Sequence, residues 1–157
     1  MKALPTLEGG LRIDTDQPGD WDVLRSIITD ANSHKDDLAN RLGAWIGEEA
    51  GSEDWQEYIV PDLREGFQDD LHLVGAAIEA AIFHAAGGYG SVWITPEDGF
   101  SWYSSLNQAR LASEENFQFG AGEDMEKINR TVQGRAAYIR TRFYSVIQEL
   151  LLEHVMR

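Results

Sequence analysis

A histidine beside carboxylates at helical spacing is the first pattern in this chain with chemistry in it. Asp69 and His72 stand three residues apart, with Glu65 and Glu79 within reach along the same stretch. On a helix they would offer an imidazole nitrogen and carboxylate oxygens to a divalent metal, as the carboxylate-x-x-His element of di-iron bundles does. Such a centre needs two of these elements and two further carboxylates on facing helices. The sequence supplies one, with aspartate in place of glutamate. A solvated acidic face with a surface histidine accounts for the same residues. A metal-binding helical bundle or enzyme using Asp69, His72 and nearby acids is therefore kept as the alternative.

The other reactive side chains are poorly placed for catalysis. His34 and His84 have no partner at ligand spacing, and His154 follows Glu153 in the final helical turn, where a cation complements the dipole. No G-x-S-x-G, P-loop or G-x-G-x-x-G is present, and "GGYGSVWI" is too short and in the wrong order to cradle a phosphate. Carboxylates cluster in runs such as "GEEAGSED", which read as solvated loop. None is placed for the burial that would tune a general acid or base. No catalytic residue, metal ligand or cofactor is expected.

A second pattern lies in "SWYSSLNQARLASEENF", residues 101 to 117. On a helical wheel Trp102, Leu106, Ala109 and Ser113 share one face, and Leu111 points nearly opposite. Between these apolar sides runs a polar row, Tyr103, Asn107, Arg110 and Glu114, at spacings of 4, 3 and 4. Arg110 and Glu114 are one turn apart, in the weaker orientation for an ion pair, worth a few tenths of a kcal/mol. If neighbouring helices enclose the row, Arg110 must find acceptors, because breaking a buried charge pair costs about 3–5 kcal/mol. The expectation is a structural clamp, with Arg110 bonded to a carboxylate or carbonyl of another helix and Asn107 satisfying backbone groups at a loop. A ligand or partner contact competes with it. Trp102, Asn107, Arg110 and Glu114 are the structural or interaction candidates, and an Arg110 facing an open cavity beside ionisable groups would overturn the clamp.

The elements that carry these residues follow from composition and period. The 157 residues, 43% of them hydrophobic, suit a single α-helical domain over 1–157 that buries roughly 70% of its unfolded surface. A net charge of −14 repels phosphate backbones, so direct nucleic-acid binding is not expected. With no cysteine, disulfides, thiolate metal sites and thiol redox switches are excluded. "MKALPTLEGG" has no apolar core for export and no apolar run nears 18 residues, so no membrane contact and a cytoplasmic location are expected. Residues 1–122 carry 7 basic and 22 acidic side chains, against 6 and 5 in residues 123–157. The last helix can therefore dock on an acidic body, of its own chain or of a partner.

Two segments read as strands, Leu11–Asp14 and Ser91–Thr95, each preceded by glycines and followed by a helix start. An offset of 81 residues aligns Leu11 with Val92, Ile13 with Ile94 and Trp21 with Trp102. Either the chain holds an internal strand-helix repeat, 11–30 and 92–111, or a dozen residues coincide by chance. A two-stranded ribbon needs helices beneath it. Asp14 or Asp16 is the expected cap of the first helix, and Thr95 with Pro96 the start of the second. The polar stretch Asn32 to Asp37 leaves it open whether the helix that starts near Trp21 continues to Ile46. Pro61 should end a short helix before Val60. A long helix then runs from Asp62 to Ala86 on Leu63, Phe67, Leu71, Val74, Ile78 and Ile82, ended by Gly87 and Gly88.

The last helix has the cleanest period. Val132, Ala136, Ile139, Phe143, Val146 and Leu150 follow spacings of 4, 3, 4, 3 and 4. Such a seam serves either as one side of an intramolecular core or as a surface for self-association or a protein partner. The fold class expected is mostly α, a bundle of four to five helices with a small two-stranded β element.

This order of elements resembles the actinobacterial domain of unknown function 2017, a family also described as oxidative-stress regulators. Trp102, Leu106, Asn107, Arg110 and Leu111 carry the resemblance, with "VWITPEDGF" ahead of them as strand and cap. Looser similarity covers "LRIDTDQPGDWDVLRSII", the segment around "VPDLREGFQDDL" and the final helix. It implies a mostly helical, cytoplasmic, non-enzymatic protein that binds other regulatory proteins. One property does not carry over: a chain without cysteine cannot sense oxidants through a thiol pair, and Met1, Met125 and Met156 are poor substitutes.

Overall fold

Alternation of apolar and polar residues places the sheet. The structure, a computed structural model, describes residues 1–47, 52–120 and 124–157. Strands β1 (Lys2–Pro5), β2 (Leu11–Asp14) and β3 (Ser91–Ile94) form an antiparallel sheet in the order β1-β2-β3. Leu11 and Ile13 lie opposite Ile94 and Val92, and all four are buried against the helices. That register maps onto itself under the 81-residue offset. On the outer face Arg12 sits over Trp93, 5.4 Å from the ring centroid, and pairs with Asp14 at 2.9 Å.

The sheet corrects the expected ribbon in two ways. It has a third strand, β1, whose "KALP" lacks both alternation and β-branched residues and ends on a proline that an edge strand tolerates. Thr95 belongs to the turn after β3 and not to the strand. Gly10 closes the β1–β2 hairpin where a Cβ would stand 2.2 Å from the Ile94 carbonyl oxygen, so no other residue fits there.

Among the described residues five helices have ten residues or more: α1 (Asp20–Ala31), α2 (Leu38–Gly47), α4 (Val60–Ala85), α5 (Gly99–Phe117) and α7 (Val132–His154). Two short ones, α3 (Ser52–Asp54) and α6 (Met125–Ile128), complete the set. The chain breaks between α1 and α2, where Ser33 and Asp37 tie off the helix ends. Of the expected loop "GEEAGSED", Glu48 to Gly51 lie outside the described residues, and Ser52–Asp54 are helical, with Glu53 and Asp54 in the first turn.

Pro61 does not stop the helix ahead of it. Trp55–Ile59 form a π-helical turn that runs into α4, and the proline takes a position in the first turn of α4. There its missing N–H costs least, and the wider π turn relieves the clash of its ring with the preceding carbonyl. Arg64 of α4 reaches back to Asp37 and Asn40 at 2.7 and 2.6 Å, fixing the start of α2.

The helix starts also differ in detail from expectation. Gly19, at φ 91°, occupies the cap position of α1, while the Asp20 carboxylate accepts from the backbone N–H groups of Asp16 and Gln17. The hydroxyl of Thr95 accepts from the Asp98 N–H, but residues 96–98 form a turn and α5 begins only at Gly99. At the far end of α4 it is Ala86, at φ 51°, that adopts the left-handed cap, with Gly87 following.

Helix α5 runs through the middle of the core. It packs against α1, α4 and α7, with Trp102, Leu106, Ala109 and Ala112 all buried. Leu24 and Ile27 of α1, Val74 and Ile78 of α4, and Tyr144, Ile147 and Leu151 of α7 close around it under the sheet. Small residues at Ser105, Ala109, Ala112 and Ser113 let three helices approach one axis. A satellite cluster of Phe117, Phe119, Ile128, Ala137 and Tyr138 covers the end of α5.

Candidate functional site

The polar row of α5 meets α7. Arg110 donates to the side-chain oxygen of Gln148 at 2.5 Å, and Gln148 in turn donates to the Tyr103 carbonyl at 3.3 Å. Gln148 is buried and linked at both ends, so it joins the two helices through a polar contact. Glu114 accepts from the backbone N–H of Gly120, closing the turn after α5; among the described residues it forms no ion pair with Arg110. Trp102 lies in the core, one face away. The Asn107 side chain makes no hydrogen bond among the described residues and lines a cleft.

That cleft, about 310 Å³, opens between α5 and α7 and is lined by Asn107, Arg110, Glu114, Tyr138, Thr141 and Arg142 among others. Arg110 thus bonds another helix and also lines open space beside ionisable neighbours. The two aliphatic hydroxyls of the cleft wall are already engaged. The Thr141 hydroxyl bonds the Ala137 and Tyr138 carbonyls, and Ser145 bonds the Thr141 carbonyl. Among the described residues the cleft holds no nucleophile paired with a base.

The strongest polar contact between helices is elsewhere. Arg140 of α7 forks onto Asp30 of α1 through two bonds of 2.8 and 3.0 Å, and the Tyr144 hydroxyl donates to the same carboxylate at 2.7 Å. Ser26 Oγ lies 2.6 Å from the Tyr144 oxygen. Burial, and then the bond to Asp30, push the Tyr144 hydroxyl well above its ordinary pKa, and the bond to Asp30 raises that of Arg140. Both keep their protons at neutral pH, so the group is a lock and not a proton relay.

These residues carried a signal that apolar counting passes over. Leu24, Ile27 and Asp30 step by three along α1. On α7 a second row, Ala137, Arg140, Tyr144, Ile147 and Leu151, steps by 3, 4, 3 and 4, and this row faces the core. An arginine and an aspartate, each inside a core row of a different helix, mark a pair.

The all-apolar row on α7 lies on one flank, on the opposite side from the cleft. Val132, Ile139 and Val146 are 82%, 58% and 48% exposed, and Ala136, Phe143 and Leu150 are half-buried. It forms a greasy stripe bordering the core, with nothing seated on its outer edge among the described residues.

Asp69 and His72 both stand on the exposed side of α4, while Glu79 is engaged by Arg25 at 2.8 and 2.9 Å. Among the described residues no group of three or more histidines and carboxylates converges as a metal site, so Asp69 and His72, the alternative reading, have no further ligands there. Several carboxylates are held below their ordinary range. The Ser91 hydroxyl does this for Asp14 and the Arg25 guanidinium for Glu79. At Asp20 and Asp37 burial pulls upward and is outweighed, by backbone N–H groups at Asp20 and by Arg64 at Asp37. Among the described residues no helix is long and apolar enough to cross a membrane.

Comparison with known proteins adds no chemistry to this geometry. Searches of curated proteins and of solved structures gave no match. Residues 2–155, nearly the whole length, match the model of a family described as "Domain of unknown function (DUF2017)", and the chain belongs to that family.

Proposed function

We propose that this chain is a single-domain, cytoplasmic, non-enzymatic module that acts in regulation by binding protein. The observation that carries the reading is the stripe on α7. A helix of 23 residues keeps a buried core row and also presents a second, regular apolar row to solvent. Rows of this kind mark interaction surfaces more often than scattered exposed apolar residues do. The electrostatics support the same reading. Every described carboxylate with a resolved shift is held low by a hydroxyl, backbone or basic partner, the opposite of what a general acid near neutral pH requires. The net charge of −14 favours a protein partner over nucleic acid.

The test is affinity capture with the chain and with an Ile139→Asp, Val146→Asp variant, each checked by circular dichroism for an unchanged fold. Proteins bound by the first and lost by the second support the reading. An identical set with both rejects it. A second reading, a small carboxylate held at Arg110, has the cleft in its favour. Thermal-shift measurements with small dicarboxylates, repeated on Arg110→Ala, would show a shift in the first protein alone.

A further inference from the structure

We infer that the α7 stripe is covered by a second copy of this chain, the two α7 helices docked antiparallel about a two-fold axis near residue 141; the inference rests on the reading of α7 as a binding surface. Three observations select this occupant. The spacings 4, 3, 4, 3 and 4 read the same in both directions, so the row meshes with itself when reversed. In that register Val132 meets Leu150 of the second copy, Ala136 meets Val146, and Ile139 meets Phe143, so the smallest side chain of the row is set against a branched one and the largest against isoleucine.

Charge supplies the direction. From Val132 to Arg142 the helix carries Arg135, Arg140 and Arg142 and no acid; from Phe143 to His154 it carries Glu149 and Glu153 and neither lysine nor arginine. A parallel pair would set like charges together along the whole seam. The antiparallel pair brings Arg135 toward Glu149 at both ends, leaves Arg140 and Arg142 beside the axis, and opposes the helix dipoles. Arg140 is already held by Asp30, and the exposed Arg135 is the arginine this register sets beside Glu149 of the second copy, on both sides of the axis.

Exposure supplies the third argument. Val132, Ile139 and Val146, the outer line of the stripe, project clear of the protomer, and Ala136, Phe143 and Leu150 link it to the core, so the second helix would extend the existing core. The stripe is about 28 Å long at 1.5 Å per residue. One helix pair of this length lies at the small end of stable interfaces, so the dimer should dissociate in roughly the micromolar range.

Sedimentation equilibrium from 1 to 200 μM tests this. The chain is expected to pass from monomer to dimer mass, and Ile139→Asp to raise the dissociation constant by a factor on the order of 100 with an unchanged circular dichroism spectrum. Arg135→Glu and Glu149→Arg should each weaken the dimer, and the two together should restore it. Because the chain has no cysteine, direction can be read by oxidation. A mixture of Val132→Cys and Leu150→Cys proteins should form a disulfide-linked pair, and neither alone should, because like positions at the ends of the seam lie about 27 Å apart along the axis. A monomer at every concentration, a dimer indifferent to Ile139→Asp, or self-linking of Val132→Cys overturns the inference. A monomer that captures another protein through Ile139 overturns the inference and leaves the reading of α7 standing.

Discussion

Helices α5 and α7 make opposite uses of their sequences. Along α7 the apolar period is clean, yet the row it marks is the flank that faces solvent. Along α5 hardly any period survives, yet it is the helix most enclosed by its neighbours. The physical reason is geometry. A helix that packs against α1, α4 and α7 must be apolar or small on most sides and loses its stripe, whereas α7 leaves much of its surface open and keeps its rows separate. Regularity therefore reports how much of a helix stays open, not which of its sides is buried.

The sharpest way to break this comparison is to truncate one residue on each helix. Trp102→Ala on α5 should cost about 3–5 kcal/mol in urea unfolding, because it leaves a cavity in the middle of the core. A cost near 1 kcal/mol would show that α5 is less central than its burial indicates. Next comes the lock between α1 and α7. Asp30→Ala leaves Arg140 and Tyr144 without their acceptor and should cost about 2–4 kcal/mol, with Asp30→Asn costing less because one acceptor oxygen remains. If the two substitutions cost the same, the charge, and not the hydrogen bonding, holds the helices together.

Tyr144→Phe is a smaller perturbation, about 1–2 kcal/mol at pH 7. Its signature lies in the pH profile. The hydroxyl has its pKa raised by burial, so the stability it contributes is present below its unfolded value of about 10 and is lost as pH rises through the higher folded value. Unfolding measured from pH 8 to 11 should show the wild type weakening above about pH 10 and the variant weakening less. Smallest of all, Ile139→Ala on the exposed flank should change monomer stability by no more than about 0.5 kcal/mol, measured at a concentration low enough to keep the chain monomeric. A larger loss would mean that the stripe is packed within its own chain and would merge the two helices into one class.

The fold was largely legible from local rules. The strands at Leu11 and Ser91 alternate, and Leu71, Val74 and Ile78 step along α4 as a single core face should. The strand Lys2–Pro5 was not legible, because pairing with β2 decides its conformation and "KALP" has no pattern of its own. Pro61 misled because the rule against helix before proline assumes α geometry, and a π turn removes the conflict. Of the candidate site, Arg110 was found by its place between apolar faces. Its partner Gln148 was not, since a glutamine in an apolar row signals nothing until the facing helix is known. Asp30 and Arg140 were legible only as a pair, each an exception inside a core row, and two exceptions on separate helices become informative together.

The π turn at Trp55–Ile59 has a consequence for the evolution and engineering of this chain. A widened turn absorbs one residue beyond what an ordinary helix would hold, so it sets the angular phase between α3 and α4. Deleting one residue there would let the ladder tighten and would turn α3 by about 100° around the axis of α4. The segment works as a vernier: a change of length by one residue at this point re-aims the short helix ahead of α4.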